Sequence, residues 1–503
     1  MIKQSEIDII RGKELFCNDL PSKPLAKLGK ILITGASGYI GGRLIPELVA
    51  RGYDVRLMVR GNIEAYQAIW PNLDIVEADA LNVEQLRGAL EGIDTAYYLI
   101  HSLHLGPQEF EAADITVAGN FRTVAQEQGI KRIIYLGGLG DKRIPLSSHL
   151  RNRIEVADEL LMGKVPVTIL RAAIIIGSGS ASYEIILHLV TKLPLILIPR
   201  VSINKCQPIG IRDVIKYLVG VLEVPETCRH NFDIGGRDVL TYKRMLEILA
   251  NIQNTKTAII LCPLFTIRFY AYLASLITPV PNAITQILMK GLKNEVVCLD
   301  NSIKDYIPFK PLSYAEAIIN AMNREDQEKV YTRWSDAYPP DHELAIKLNE
   351  LDKDVPYTTK YSLITRKTAF SLFTSICKIG GKEGWFHSNW MWRLRGALDK
   401  ILLGVGTSRG RKSYFQLEIN DVIDFWRVED IKQNRRLLLR AEMKLPGKAW
   451  LEFNIKNGED RRKLSVMAYY DTASYFGKAY WYILLPFHHF IFKKLIDAIE
   501  RRS

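Results

Sequence analysis

Three glycines at the spacing G-x-x-G-x-x-G, Gly35, Gly38 and Gly41, stand between two regular segments. The segment before them, 30–34, is aliphatic like a buried strand, and the segment after them, 43–51, is amphipathic like a helix. Glycines allow a tight turn and a close approach of the backbone to a phosphate, while the helix start supplies free N–H groups. The pattern therefore predicts a site for the diphosphate of a dinucleotide.

The residue after the next predicted strand, 53–59, bears on which dinucleotide binds. Arg60 stands where NAD-specific folds have Asp or Glu for the ribose 2′-hydroxyl. A guanidinium suits a 2′-phosphate, so NADP(H) is predicted over NAD(H), and Arg43 is a second candidate for that phosphate. The alternative is that either arginine is only a surface charge. Asp79 is placed to accept a hydrogen bond from an adenine amino group, or else caps a turn or helix.

Strands and helices alternate through this part of the chain. We predict strands at 30–34, 53–59, 73–79, 95–101 and 132–136, with helices at 43–51, 83–90 and 109–127 and around residue 149. Helices between consecutive strands imply right-handed crossovers. The fold class expected here is α/β, with a doubly wound parallel Rossmann sheet.

Several segments in series carry a family resemblance. TGASGYIGG, EADALN, YYLIHS, RIIYLGGLG, LRAAIIIG, PIGIRDV and FDIGG resemble the NmrA-like, atypical branch of the extended short-chain dehydrogenase/reductases over roughly residues 29–325. The resemblance implies a nicotinamide dinucleotide and a substrate-side lobe with helices at 211–222 and 242–250. The cofactor-binding residues expected are Thr34, Gly35, Ser37, Gly38, Tyr39, Ile40, Gly41, Arg43, Arg60, Asp79, Ala80 and His101.

The expected catalytic residues depart from the family pattern. Members that transfer hydride usually carry a Ser and a Tyr-x-x-x-Lys pair, but here the matching helix has His149 and Arg153 at the same spacing, on one helix face. His149 could donate a proton and Arg153 could hold the nicotinamide ribose. The alternatives are a structural His149 and a non-catalytic NADPH-sensing or accessory protein, similar to NmrA or the dehydrogenase-like subunit of respiratory complex I.

A charged, proline-containing stretch at 326–354 predicts a linker to a second domain, 355–503. Strands are predicted at 357–364, 422–430, 435–445, 449–456 and 462–470, and helices at 366–376 and 477–501. This order resembles the smaller α+β helix-grip fold of START-like and Bet v 1-like proteins, which implies a cavity for an apolar ligand. Candidate lining residues are Trp426, Trp450, Trp481 and Phe487, or these form an ordinary aromatic core.

The 503-residue chain has a net charge of +12, all of it from residues 345–503, where 29 Lys and Arg face 17 Asp and Glu. Its basic clusters, 409–412 and 461–463, are expected to face an anionic membrane or an acidic ligand, or to be a solvated surface. Nucleic acid is not expected, because no binding motif accompanies the charge. The apolar stretches 257–281 and 480–492 predict buried or interfacial helices, with peripheral membrane contact as an alternative.

Compartment and metal content follow from the remaining composition. The six cysteines are scattered without a C-x-x-C pair, which favours a reducing compartment and no zinc site. The N-terminal extension, 1–28, has no uninterrupted apolar run typical of a secretory signal, so a cytoplasmic protein is expected.

Overall fold

The computed structural model describes residues 15–61, 63–101, 110–326, 332–337, 348, 355–381, 383–407, 409, 411, 417–458 and 461–503. The chain divides into two compact units. The first unit comprises residues 1–274 and 283–338, and the second comprises residues 275–282 and 339–503.

A seven-stranded parallel sheet forms the centre of the first unit. Its strands are β1 (Lys30–Ile33), β2 (Val55–Val59), β3 (Asp74–Glu77), β4 (Ile93–Tyr98), β5 (Arg132–Gly138), β6 (Val167–Ala172) and β7 (Asn231–Ile234). Their order across the sheet is β7-β6-β5-β4-β1-β2-β3. The order reverses between β1 and β4, which is where such sheets bind ligands at their carboxyl edge. The predicted doubly wound parallel sheet is confirmed.

Both faces of this sheet are buried, as crossover helices require. Alternate β1 side chains point to opposite faces, so Ile31 and Ile33 pack into one core and Leu32 into the other. Helices flank the strands and continue beyond them. They are α1 (Gly41–Ala50), α2 (Ile63–Ile69), α3 (Val83–Leu90), α4 (Phe110–Glu127), α5 (Ser148–Leu161), α6 (Ala181–Lys192), α7 (Ile211–Glu223), α8 (Tyr242–Ile252), α9 (Ile267–Ile277), α10 (Asn282–Gly291), α11 (Ile303–Tyr306) and α12 (Tyr314–Asp326).

Three two-stranded pairs complete this part of the chain. Ile175–Ile176 pairs with Ile209–Gly210, Lys205–Cys206 with Leu240–Thr241, and Leu195–Ile198 with Ala258–Leu261. The last pair corrects the prediction of a helix at the start of 257–281, because Ala258–Leu261 is extended and hydrogen-bonded to a parallel neighbour. A short apolar run such as Ala258–Leu261 is compatible with either a strand or a helix. Pairing with Leu195–Ile198 makes it a strand.

The second unit contains a six-stranded antiparallel sheet. Its strands are β8 (Tyr357–Thr365), β9 (Val422–Ile423), β10 (Trp426–Lys432), β11 (Arg436–Ala441), β12 (Lys448–Asn457) and β13 (Arg462–Asp471), in the order β8-β13-β12-β11-β10-β9. The predicted single strand at 422–430 is two strands, because Asp424 turns the chain with φ of 55°. The helices are α13 (Ala369–Ile376), α14 (Asn389–Ile401) and α15 (Tyr475–Arg502). Sequence analysis missed α14.

Helix α15 packs on the sheet through Leu495, Ile496 and Ile499, which lie in the same core as Leu451 and Val466 of the strands. An antiparallel sheet with a long C-terminal helix is thus confirmed, while the START-like identity stays a prediction. Among the residues that the structure describes, no helix combines the length and the hydropathy that a transmembrane span requires.

Two basic residues predicted to be exposed, Arg409 and Arg411, are buried instead. Arg409 Nη1 donates to Glu442 Oε2 at 2.6 Å, and Arg411 Nη1 donates to the carbonyl of Ile379 at 3.0 Å. Burial of charge is tolerated only with such partners. Neither the membrane-facing nor the solvated interpretation holds for these two residues, and Lys412 lies outside the described residues.

Candidate functional site

A cavity of about 260 Å³ opens at the carboxyl edge of the first sheet, beside the ends of β1, β2 and β4. Ten of the predicted cofactor-binding residues line it: Gly35, Ser37, Gly38, Tyr39, Ile40, Gly41, Arg60, Asp79, Ala80 and His101. Thr34 lies outside the lining. Its hydroxyl donates to the carbonyl of Tyr97 at 2.9 Å and accepts from the N–H of Leu99 at 3.0 Å, so it holds β1 against β4.

The glycine loop has the tight geometry that its spacing predicts. Gly35 has φ of 61°, and a Cβ there would lie 3.0 Å from the carbonyl carbon of Leu99. A Cβ on Gly41 would lie 3.0 Å from the Cα of Ala36. Helix α1 begins at Gly41, and its N-cap residue, Ile40, supplies no side-chain acceptor. The helix start therefore faces the cavity without a capping side chain, as an anion-binding terminus does.

The two candidate arginines have different surroundings. The Arg43 guanidinium is buried and donates to the carbonyls of Ser178 at 2.8 Å and Thr332 at 2.9 Å. It also lies over the ring of Tyr39, 4.1 Å from the centroid. Its donors are directed at the protein, and it does not line the cavity, whereas Arg60 does. The structure therefore favours Arg60 over Arg43 as the arginine that meets a nucleotide.

Two further lining residues have roles that sequence analysis left open or missed. Asp79 Oδ1 accepts from the N–H of Leu81 at 2.9 Å, which is the turn-capping role, while the residue also lines the cavity. Trp334, in the stretch predicted as a linker, lines the same cavity. Residues 332–337 belong to the first unit. No sequence motif indicated Trp334, because it is far from the glycine loop in the sequence and reaches the cavity only through the fold of the chain.

The predicted catalytic residues come together around Asp114, a residue that sequence analysis missed. Asp114 is buried, and its Oδ2 accepts from Arg153 Nη2 at 2.7 Å and lies 3.1 Å from His101 Nδ1. The His149 ring stacks on that of His101, with centroids 5.2 Å apart. The available signal was an aspartate within the mainly apolar stretch 112–118 of α4, since a buried carboxylate needs partners.

Both imidazoles are shifted towards the neutral form. Burial, reinforced by the nearby Arg153, lowers the pKa of His101 to about 4. Burial, with His101 and Arg153, lowers the pKa of His149 well below its usual range. This shift weighs against His149 as a proton donor near neutral pH.

Asp114 also determines the tautomer of His101. A carboxylate is only an acceptor, so His101 presents its proton at Nδ1 to Asp114, and its Nε2 is left with a lone pair. Among the described residues, this buried Nε2 has no hydrogen-bond partner. His101 lines the cavity as a residue, and Nε2 is the ring nitrogen left as an acceptor.

A second cavity, of about 310 Å³, lies within the second unit. The four aromatic residues predicted to line a cavity there, Trp426, Trp450, Trp481 and Phe487, all do so. Further lining residues come from α14 and α15, and almost all of the wall is apolar or aromatic. Such a wall is suited to an apolar ligand.

Two family models match the chain. Residues 35–175 match a family described as NAD(P)H-binding, and residues 353–495 match a family described as a protein of unknown function (DUF2867). The first range contains the glycine loop, Arg60 and the cluster around Asp114. The chain thus combines an NAD(P)H-binding domain similar to the extended short-chain dehydrogenase/reductases with a C-terminal domain of unknown function.

Curated relatives match parts of the chain. A 3-beta-hydroxysteroid dehydrogenase of Mycolicibacterium neoaurum is 26% identical over 161 residues, 27% of this chain and 43% of that protein. Cinnamoyl-CoA reductase 1 of Petunia hybrida is 25% identical over 117 residues, 22% of this chain and 35% of that protein. The photosystem II assembly factor Ycf39 of Trieres chinensis is 19% identical over 47% of this chain and 73% of that protein. The chain spans less than half the length of the first two.

Solved structures that resemble part of this chain include a nucleoside-diphosphate-sugar epimerase from Staphylococcus aureus and the Bordetella bronchiseptica enzyme WbmG in complex with NAD. The epimerase is 18% identical, with a TM-score of 0.49, covering 57% of this chain and 99% of its own. WbmG is 16% identical, with a TM-score of 0.47, covering 62% of this chain and 98% of its own.

Proposed function

Because residues 35–175 form an NAD(P)H-binding domain, we propose that the chain is an atypical NADP(H)-dependent oxidoreductase of the short-chain dehydrogenase/reductase type. Its substrate would be an apolar small molecule such as a quinone, an isoprenoid or a lipid-like carbonyl or alkene compound. The observation that carries the cofactor part is the uncapped glycine-loop helix and Arg60 around one cavity. The apolar cavity of the second unit supports the substrate class.

The residues present fit a nicotinamide dinucleotide. Backbone N–H groups at the start of α1 would hold the diphosphate, and Arg60 would pair with the 2′-phosphate of NADP(H). When bound, the nicotinamide supplies hydride chemistry. His101 Nε2, aligned through Asp114, would accept a hydrogen bond from the nicotinamide ribose or carboxamide. Arg153 would act through Asp114, since its guanidinium is committed to that carboxylate.

The two cavities belong to one chain, which matters for an apolar substrate. Such a molecule has a low free concentration in water, because its apolar surface is poorly solvated. A ligand held by the second unit would be at a high effective concentration for the first, through the covalent connection alone. This arrangement supports a substrate-holding role for the second unit.

Arg60→Ala tests the cofactor preference. We expect the affinity for NADP⁺ to fall at least tenfold while that for NAD⁺ changes little, since only the 2′-phosphate loses a partner. Isothermal titration calorimetry measures both constants. Arg87→Ala is the matched control, because Arg87 is a surface arginine of α3 paired with Glu84 and Glu127, and it should leave both affinities unchanged. Tighter binding of NAD⁺ than NADP⁺ to the unmodified chain would refute the preference.

A second candidate function is a non-catalytic NADPH-sensing or accessory protein. The lowered pKa values of His101 and His149 favour it, because neither ring is poised to deliver a proton near pH 7. NADPH oxidation with a panel of quinones, enones and aldehydes separates the two functions. Turnover of any acceptor supports the reductase, and tight NADPH binding without turnover supports the sensor.

A further inference from the structure

Helix α14 exposes large apolar side chains along one face. Trp390, Leu394 and Leu398 follow each other at intervals of four residues, and each is about half exposed or more. Residues at this spacing lie above one another on a helix. The opposite side of the helix, including Trp392, is buried in the core of the second unit. The helix is thus apolar on its solvent side as well, which is costly without a cover.

Helix α15 carries a similar exposed face. Phe476, Ile483, Phe487 and Phe490 fall within one narrow sector of the helix, and each is about half exposed or more. The buried face, with Trp481 and Phe492, packs on the sheet. We call the exposed residues of both helices, Trp390, Leu394, Leu398, Phe476, Ile483, Phe487 and Phe490, the apolar rim.

The apolar rim is continuous with the second cavity. Trp390, Leu394, Leu398 and Phe487 both line the cavity and are exposed to solvent. The mouth of the cavity therefore opens through the rim. A hydrophobic molecule could pass between the cavity and a layer covering the rim without crossing water.

The exposed charged residues of these two helices are all basic. Lys478, Lys493, Lys494 and Arg393 are exposed on the same two helices. The acidic residues of the two helices are less accessible: Asp399 of α14 is buried, and Asp497 and Glu500 near the end of α15 are half-buried. Apolar side chains flanked by exposed lysines and arginines complement a bilayer with anionic headgroups. Two copies of the same face would instead bring like charges together.

We propose that the second unit docks through the apolar rim on the surface of an anionic lipid bilayer, and that the ligand of the second cavity enters from that bilayer. The occupant of the rim is thus a lipid surface. The source of the ligand rests on the proposed function, whereas the docking itself does not.

Co-sedimentation of the full chain with vesicles tests the docking. We expect binding to vesicles of phosphatidylglycerol and phosphatidylcholine, much weaker binding to phosphatidylcholine alone, and weakening by salt. Phe476→Ser with Ile483→Ser should lower the partition coefficient at least tenfold. Ile364→Ser is the matched control, since Ile364 and Ile483 are both 67% exposed but Ile364 lies on β8, outside the rim. Circular dichroism spectra and urea unfolding, unchanged in all variants, show that the chains are folded.

Two kinds of result would overturn the proposal. One is equal binding of the rim variant and the unmodified chain, or no binding to the anionic vesicles. The other is concentration-dependent dimerisation that the rim substitutions abolish, which would assign the rim to a second copy. NADP⁺ affinity measured on the same samples reports on the proposed function separately, so failure of one does not imply failure of the other.

Discussion

Asp114 connects residues that come from three different elements of the first unit. It accepts from Arg153 of α5 and from His101 after β4, and it is itself part of α4. In the short-chain dehydrogenase/reductase pattern, the helix that corresponds to α5 carries Tyr-x-x-x-Lys. Here the cation is committed to a buried carboxylate and the histidines are neutral. The cluster therefore fixes the orientation of His101 beside the cavity.

Asp114→Asn should destabilise the first unit. The substitution leaves the buried Arg153 without its carboxylate, and loss of one partner from a buried ion pair costs about 3–5 kcal/mol. Urea-induced unfolding measures the change. Asp158→Asn, which breaks an exposed pair with Lys142, should cost less than about 1 kcal/mol. Similar losses for the two variants would contradict a structural role for Asp114.

His101 should make the stability of the first unit depend on pH. Its pKa is about 4 in the folded chain against an ordinary 6.5, so the unfolded chain binds the proton first as the pH falls. The contribution of the neutral His101 to the free energy of unfolding is therefore fully present above about pH 6.5 and is lost as the pH falls from 6.5 to 4. At 1.36 kcal/mol per unit, the loss reaches about 3 kcal/mol.

The pH dependence is measured by urea unfolding at a series of pH values. His101→Gln removes the imidazole, so its stability should change less between pH 6.5 and 4 than that of the unmodified chain. His230→Gln, at an exposed site, should retain the full dependence. If the free energy of unfolding of His101→Gln falls as steeply with decreasing pH as that of the unmodified chain, groups other than His101 cause the pH dependence.

At the level of elements, the first crossover from β1 through the glycine loop into α1 is formed by interactions local in sequence. Gly38 N–H donates to the carbonyl of Gly35 at 2.9 Å, and Gly42 N–H to that of Gly38 at 3.0 Å. The loop is closed by its own backbone. Its shape therefore depends on the absence of side chains at a few positions.

Gly41→Ala should abolish tight nucleotide binding. The new Cβ would clash with the carbonyl of Gly35, so the loop must open and the N–H groups lose their alignment. We expect at least a tenfold loss of NADP⁺ affinity by calorimetry. Gly88→Ala is the control: its Cβ meets no described atom within 4 Å inside α3, so it should keep the affinity and stabilise by up to about 1 kcal/mol. Normal affinity in Gly41→Ala would contradict the site.

At the level of the whole molecule, two units with separate cores carry two cavities of different chemistry. One cavity has a polar, glycine-rich edge, and the other has an apolar aromatic wall. Ligands of the two classes should therefore act on different parts of the chain.

NADP⁺ should stabilise one of two thermal transitions. A ligand at 100 times its dissociation constant contributes about 2.7 kcal/mol to the unit that binds it. For the first unit, residues 1–274 and 283–338, an unfolding entropy of about 2.1 cal/mol/K per residue converts this into a rise of the midpoint of about 4 °C. Differential scanning calorimetry of the full chain measures both transitions, and Gly41→Ala serves as the control without a shift. An equal rise of both midpoints would contradict two independently folding units.

The sequence by itself determined the phosphate loop and most of the elements, but not α14 or the strand Ala258–Leu261. The strand–glycine–helix spacing, the parallel alternation and the C-terminal helix depend on periodicity and on glycine, which act between close neighbours in the chain. Nearly all predicted strands lie within a few residues of their observed bounds, and ten predicted residues line one cavity.

Only the tertiary structure decided which polar side chains meet. The sequence indicated Arg43 as a phosphate ligand, but its guanidinium donates to the carbonyls of Ser178 and Thr332. The sequence also indicated an exposed Arg409, but this residue is buried and pairs with Glu442. The roles of His101 and Arg153 depend on Asp114, which no motif marks. A charged side chain in a folded protein is governed by the partners that distant segments bring to it, because burial penalises any charge left unpaired.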